Sequence, residues 1–355
     1  MKIWEKSIRN VTPYVPGEQP NKEGMIKLNT NENPYPPAKG VEDVLRNLDT
    51  SLLRLYPDPT IKPLVQELAN FYHLREDQVF VGVGSDDVLA MAFLTFFNSK
   101  EPVLFPDITY SFYPVWCELF KIAYETQPLD DKFHIKKEDY YKKNGGIIIA
   151  NPNAPTSIYE SITWIEDIVS HNQESIIIID EAYIDFAGKS AIELIEKYDN
   201  LLVVQTFSKS RSMAGMRIGY AFGSSKLIRA LNNVKYSFNS YTLNYTAILS
   251  GVEAVKDVEY FEECISKIRK TREHTEKYLE ELDFTFPRSG TNFIFATHKY
   301  IPAKDIYEAL RSNHIYVRYF DLPRIDNYLR ISIGTDEEMQ ILYRYLKEFT
   351  KNYPK

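Results

Sequence analysis

The segment Ser175-Ile176-Ile177-Ile178-Ile179-Asp180 constrains the fold of this chain more than any other. A run of four isoleucines puts a branched apolar side chain on both sides of a strand, so both faces must be covered. Strands of that kind belong to mostly parallel sheets with crossover helices on either side. The middle of the chain repeats the theme. Short apolar runs at Val79–Val83, Pro102–Phe105, Gly146–Ala150, Leu201–Gln205 and Ile218–Phe222 read as strands. They alternate with helical patterns at Ile61–Tyr72, Val88–Phe97, Tyr110–Phe120 and Trp164–Val169. The expected fold class is α/β, with a large, mostly parallel sheet sandwiched by helices.

The two ends differ from the middle. The N-terminal arm is rich in Pro, Asn and Gly, as in Pro13-Tyr14-Val15-Pro16-Gly17 and Asn31-Glu32-Asn33-Pro34. Proline lacks a donor and restricts its predecessor, so this arm should run extended over something else. Beyond residue 223 the pattern turns helical, and Val258–Leu282 reads as a long charged helix linking two domains. Asn292–Leu346 reads strand, helix, strand, strand, helix. The expected organisation is a large domain over residues 45–255 and a small α+β domain over residues 256–355, joined by the arm 1–44. A length of 355 residues suits about two domains.

Composition excludes several classes. With 44% hydrophobic and 26% charged residues the chain has the apolar surface that a disordered protein lacks. A net charge of −7 disfavours nucleic acid and anionic membrane surfaces as partners. The longest mainly apolar run, Val88–Phe97, is too short to cross a bilayer. The start, Met1-Lys2-Ile3-Trp4-Glu5-Lys6, lacks the apolar core of a signal peptide, so the expected location is the cytoplasm. Cys117 and Cys264 make neither a disulfide framework nor a zinc cluster and read as buried, inert thiols. No metal site is expected, and the six histidines fall outside the motifs below.

Four features stand at the carboxyl ends of expected strands, where open α/β sheets bind ligands. Gly84-Ser85-Asp86 opens a helix and reads either as an anion site or as a helix cap. Asp180 ends the isoleucine strand and reads either as a cap or as the partner of a cation such as a protonated ring nitrogen. In Thr206-Phe207-Ser208-Lys209 the lysine is either a solvated charge or a Schiff-base former. Hydroxyls one and three residues before Lys209, and Arg217 eight after it, are groups that a phosphate needs. Asn151-Pro152-Asn153-Ala154-Pro155-Thr156 is by itself a rigid turn.

Taken in order, these features resemble the fold-type-I pyridoxal 5′-phosphate (PLP)-dependent aminotransferases over nearly the whole chain. Finer markers resemble the histidinol-phosphate aminotransferase family. They are Pro13 to Gly17, Asn31 to Pro34, Tyr56-Pro57-Asp58-Pro59, Gly84-Ser85-Asp86, Thr109-Tyr110-Ser111-Phe112-Tyr113, Asp180-Glu181-Ala182-Tyr183 and Leu329-Arg330-Ile331-Ser332-Ile333-Gly334. The resemblance implies that Lys209 forms the Schiff base with PLP and moves the proton. It implies that Asp180 pairs with the ring nitrogen, Tyr183 with the ring oxygen O3′, and that Tyr110 stacks on the ring. Gly84, Ser85, Asp86, Thr206, Ser208 and Arg217 would hold the cofactor phosphate, with Asp86 acting through its backbone or as a cap. Tyr56 would reach the phosphate of a partner subunit, which implies a homodimer. Arg330 would take a substrate carboxylate, Asn33 would lie over it, and Tyr14 and Arg318 would face a substrate phosphate.

The implied reaction is transamination between L-histidinol phosphate and 2-oxoglutarate, giving imidazole acetol phosphate and L-glutamate, a step of histidine biosynthesis. Alternatives on the same scaffold are an aromatic-amino-acid aminotransferase and a PLP-dependent threonine-phosphate decarboxylase. A PLP-sensing regulator would need a DNA-binding segment for which the chain has no spare residues. Two positions depart from the wider pattern. Ala154 stands where an asparagine is usual, so Asn153 is expected to supply the O3′ bond. Ser157 replaces the usual glycine, and must either avoid positive φ or bear its cost.

Overall fold

The computed structural model describes residues 2–354. In chain order the strands are β1 (Ile26–Leu28), β2 (Val79–Gly82), β3 (Val103–Pro106), β4 (Tyr124–Gln127), β5 (Gly146–Ala150) and β6 (Ile177–Asp180). They continue with β7 (Leu201–Thr206), β8 (Gly219–Gly223), β9 (Phe284–Thr285), β10 (Phe293–His298), β11 (Ile315–Tyr319) and β12 (Leu329–Ser332). A seven-stranded sheet has the order β2-β8-β7-β6-β5-β3-β4, and a five-stranded sheet the order β1-β11-β12-β10-β9.

The isoleucine strand lies at the centre of the larger sheet, paired in parallel with β5 and β7. Its side chains alternate between two cores. Ile177 and Ile179 join Ile147, Ile149 and Val203 beneath helices Lys62–Tyr72, Ile162–His171 and Tyr245–Lys256. Ile178 joins Ile148, Leu202 and Val204 beneath helices Ser85–Phe96, Phe112–Phe120 and Ser225–Phe238. All three isoleucines are fully buried, each contributing about 2 kcal/mol of transfer free energy. The fold is thus the expected α/β sandwich.

Two local outcomes differ from the sequence reading. The run at Ile218–Phe222 is a strand, but β8 lies antiparallel to both β2 and β7. A parallel return would need a crossover helix. The connection after Thr206 instead folds as turns and one short 3-10 segment, Ala214–Met216, around Lys209. Strand β4 escaped notice because Tyr-Glu-Thr-Gln at a sheet edge leaves three of its four residues exposed, with no apolar run to read.

In the smaller sheet the arm contributes β1, parallel to β11 with Ile26 opposite Ile315 and Leu28 opposite Val317. Helices Val258–Glu281, Ala303–Ser312 and Asp336–Asn352 cover it through Ile268, Ile306, Leu310, Leu342 and Leu346. The last helix starts at a capping box between Thr335 and Glu338. This sheet stands over the carboxyl ends of β2, β6 and β7, so the arm and β12 roof the mouth of the larger one.

Candidate active site

Asp180 is the last residue of β6, flanked in register by Ala150 and Val204. It is buried, and the only partners of its carboxylate among the described residues are the Tyr113 hydroxyl, donating at 2.8 Å, and the Ala182 N–H at 3.3 Å, with no salt bridge among them. Burial raises its carboxyl to about 6, because removing a carboxylate from water penalises the charged form. A cap would not account for so deep a placement; a cation at this point would.

A cavity of about 200 Å³ opens beside Asp180 and is lined by Ser85, Asp86, Tyr110, Tyr183, Thr206, Ser208, Lys209, Arg217 and Arg330. Ser85 is the first residue of helix Ser85–Phe96, whose leading N–H groups have no intrahelical acceptor. Gly84 stands at the N-cap with φ +85, and a Cβ there would meet Arg217 Nη2 at 2.5 Å. The glycine therefore serves both the turn and the close approach of the guanidinium. No side chain caps this helix. Asp86 instead accepts from the Tyr110 hydroxyl at 2.7 Å and lies 3.6 Å from Arg217. The Thr206 hydroxyl donates to Ser208 Oγ at 3.0 Å. Lys209 Nζ donates to the Thr30 carbonyl at 3.1 Å and lies 5.7 Å from the centre of the Tyr183 ring.

An adjoining cavity of about 240 Å³ shares Tyr110, Tyr183, Lys209 and Arg330, and adds Tyr14 and Arg318. Arg318 and Arg330 are directly opposite in the β11–β12 ladder. Like charges so placed repel, and burial lowers the pKa of Arg330 while Arg318 lowers it further. Arg330 Nη2 donates to the Asn29 carbonyl at 2.9 Å, yet its Nε is buried with no partner among the described residues. An anion is what this pair lacks. Tyr14 stacks on Phe112 with ring centres 4.2 Å apart.

Besides Gly84, three expected residues line neither cavity. The Asn153 amide is engaged by protein partners: Nδ2 donates to the Ile108 carbonyl and Thr156 Oγ1, and Oδ1 accepts from Thr109. Asn33 Nδ2 donates to the carbonyls of Lys209 and Ser210 at 3.1 Å, which clamps the lysine loop to the arm. Tyr56 is 81% exposed and stacks on Tyr241. Ser157 adopts φ 66 with its hydroxyl buried and unpartnered, so the second of its two options holds.

Sequence reasoning gave no separate role to Tyr113 or Asn31. Tyr113 lies in the first turn of helix Phe112–Phe120, three residues after Tyr110, which precedes that helix. Asn31 donates through Nδ2 to the Tyr183 hydroxyl at 2.9 Å, across 152 residues of chain, and no local pattern announces such a pair.

Comparison with known proteins agrees with this geometry. The profile of the family described as aminotransferase class I and II matches residues 23–346. The chain belongs to the class I and II aminotransferases. It is 51% identical over 354 residues to the histidinol-phosphate aminotransferase of Clostridium beijerinckii, covering 100% of this chain and 99% of that one. It is 50% identical over 352 residues to the same enzyme of Lactococcus lactis subsp. cremoris, with 99% of each covered. Among solved structures, that of the Clostridium acetobutylicum histidinol-phosphate aminotransferase aligns with a TM-score of 0.82 at 24% identity, covering 93% of this chain and 100% of that one. That of the Sinorhizobium meliloti enzyme, in complex with pyridoxal 5′-phosphate, aligns with a TM-score of 0.83 at 23% identity, covering 92% and 91%. This aminotransferase therefore has the fold-type-I architecture. Among its described residues no helix is long and apolar enough to cross a membrane.

Proposed function

We infer that this aminotransferase is a PLP-dependent histidinol-phosphate aminotransferase of histidine biosynthesis. It moves the amino group of L-histidinol phosphate to 2-oxoglutarate, yielding imidazole acetol phosphate and L-glutamate. The reading is supported by half-identical relatives over the full chain. The observation that carries it is the pair Arg318 and Arg330, two opposed guanidinium groups in a cavity that adjoins Lys209. Two such groups suit a phosphate in one half-reaction and a carboxylate in the other, since a guanidinium fork fits both.

The residues fit the cofactor. A buried carboxylate without a cation, a cavity of about 200 Å³, and a helix N-terminus beside two hydroxyls and Arg217 make a matching set. Ser85, Thr206, Ser208 and Arg217 would hold the phosphate, Asp180 the ring nitrogen, and Tyr183 the ring oxygen, with Tyr110 against the ring face. When bound, PLP supplies an electron sink for the substrate carbon that bears the nitrogen. Lys209 Nζ, freed when substrate arrives, would move the proton between that carbon and the cofactor carbon C4′, and in the opposite sense in the second half-reaction. Arg330 and Arg318 orient the substrate, and the arm excludes water above it.

The arm 1–44, a large domain 45–255 and a small domain 256–355 are supported as units by the two sheets. A homodimer is supported by exposed apolar side chains beside Tyr56, namely Leu53 and Leu55 next to it in sequence and Tyr241 stacked on it. In such a dimer Tyr56 would reach the neighbouring cofactor phosphate, and the enzyme would work in the cytoplasm.

Steady-state kinetics with histidinol phosphate, phenylalanine and threonine phosphate test this reading. The highest kcat/KM is expected for histidinol phosphate, with a strict need for 2-oxoglutarate. Carbon dioxide release from threonine phosphate, or equal rates with phenylalanine, would refute it.

A further inference from the structure

Asn31 is buried, and every polar group it carries is used. Its backbone N–H donates to Ser332 Oγ at 2.9 Å, and its carbonyl accepts from Asn292 Nδ2 at 3.0 Å. The Ser332 hydroxyl, already an acceptor for that N–H, gives its single proton to Asn31 Oδ1 at 3.0 Å. The amide is thereby oriented with Nδ2 toward Tyr183, to whose hydroxyl it donates at 2.9 Å. A phenol has one proton to give. Because Tyr183 accepts from Asn31, that proton is left for the cavity that Tyr183 lines.

Position 154 offers the same cavity no donor. Ala154 lines it with a methyl group, and the neighbouring Asn153 amide is fully engaged elsewhere. We propose that Asn31 is a positioning residue that makes Tyr183 an obligate donor toward the phenolic oxygen of PLP, replacing the side-chain amide that position 154 lacks. The proposal rests on the cofactor reading above. It ties the arm to the cofactor chemistry: Thr30 takes the Lys209 ammonium and Asn31 sets the polarity of Tyr183.

A donor to the phenolic oxygen competes with the proton on the nitrogen that links Lys209 to the cofactor. Without the donor, that proton is held more tightly and leaves at higher pH. Charged groups around Tyr183, namely Lys209, Arg330, Asp86, Asp180, Arg217 and Glu32 in the same cavity and Arg318 in the adjoining one, are untouched when Asn31 changes to a neutral residue. A shift therefore reports the hydrogen bond rather than a lost charge.

The test is the pH titration of the visible absorbance of the PLP-loaded enzyme. Asn31→Ala and Tyr183→Phe should each raise the midpoint by about one pH unit. The double variant should shift no further than Tyr183→Phe, because Asn31 acts through that hydroxyl. Ser332→Ala, which frees the amide to turn, should give a smaller shift in the same direction and serves if Asn31→Ala folds poorly. An unchanged midpoint in Asn31→Ala or Ser332→Ala overturns the proposal, as does a double variant whose shift equals the sum of the singles. A purely structural role would lower thermal stability and leave the midpoint in place. Loss of absorbance in Lys209→Ala tests the underlying cofactor reading separately.

Discussion

The Tyr113 hydroxyl donates to Asp180 Oδ2 at 2.8 Å and is the one side chain that stabilises that buried carboxylate among the described residues. The pair couples helix Phe112–Phe120 to the end of β6. Tyr113→Phe removes a bond to the charged form, so the Asp180 carboxyl should rise further. We expect turnover to fall about tenfold, in line with one charge-assisted bond, and the acid limb of the kcat profile to move to higher pH. A kcat profile unchanged in shape would separate Tyr113 from the chemistry.

Asp180→Asn should act with opposite sign in the empty and loaded enzyme. The folded carboxyl lies at about 6 against an ordinary 3.8, so folding takes up protons between these values. The penalty is fully present above pH 6, about 3 kcal/mol, and fades as pH falls towards 3.8. Without cofactor, Asp180→Asn should therefore be the more stable protein at neutral pH, with the gap closing in acid. With cofactor, it should be less stable and nearly inactive, because the ring nitrogen loses its partner. Denaturant melts with and without PLP across the pH range check both halves.

Arg330→Ala should raise KM for glutamate and for histidinol phosphate by roughly 100-fold, the cost of losing a buried charge pair. Arg318→Ala should raise KM for histidinol phosphate alone. If Arg330→Ala affects glutamate only, Arg318 carries the phosphate unaided.

Gly84→Ala places a methyl group within 2.5 Å of Arg217 at a backbone angle that L-residues avoid. PLP affinity, measured by equilibrium dialysis, should fall at least about tenfold, the cost of one displaced charge-assisted bond.

Ser157→Gly should stabilise the protein. It relieves φ 66 and removes a buried hydroxyl without a partner. The gain, offset by greater freedom of the unfolded chain, should be about 1 kcal/mol in a denaturant melt.

The central strands, the long helix and the order of the C-terminal elements were legible because burial on both faces leaves uninterrupted apolar runs. Strand β4 was not, since an exposed edge has no such pattern. The reversal of β8 was hidden because direction depends on what the connection can span, not on the strand itself. Within the site, residues at strand ends were readable from their place after apolar runs, as with Asp180 and Lys209. The partners of Asn153 were not legible, because a polar side chain in a turn does not reveal whether it faces outward or feeds its own loop. Tyr113 and Asn31 act through contacts distant in sequence, which no window along the chain contains.

The parallel pairing of β1 with β11 joins residues 26–28 to residues 315–317. A ribosome delivers the arm strand well before its partner strand. During translation the larger sheet can form while Thr30 and Asn31 hang without the ladder that seats them. The lysine is thus in place before its roof, and a nascent chain stalled before Ile315 would be a folded scaffold with no closed site.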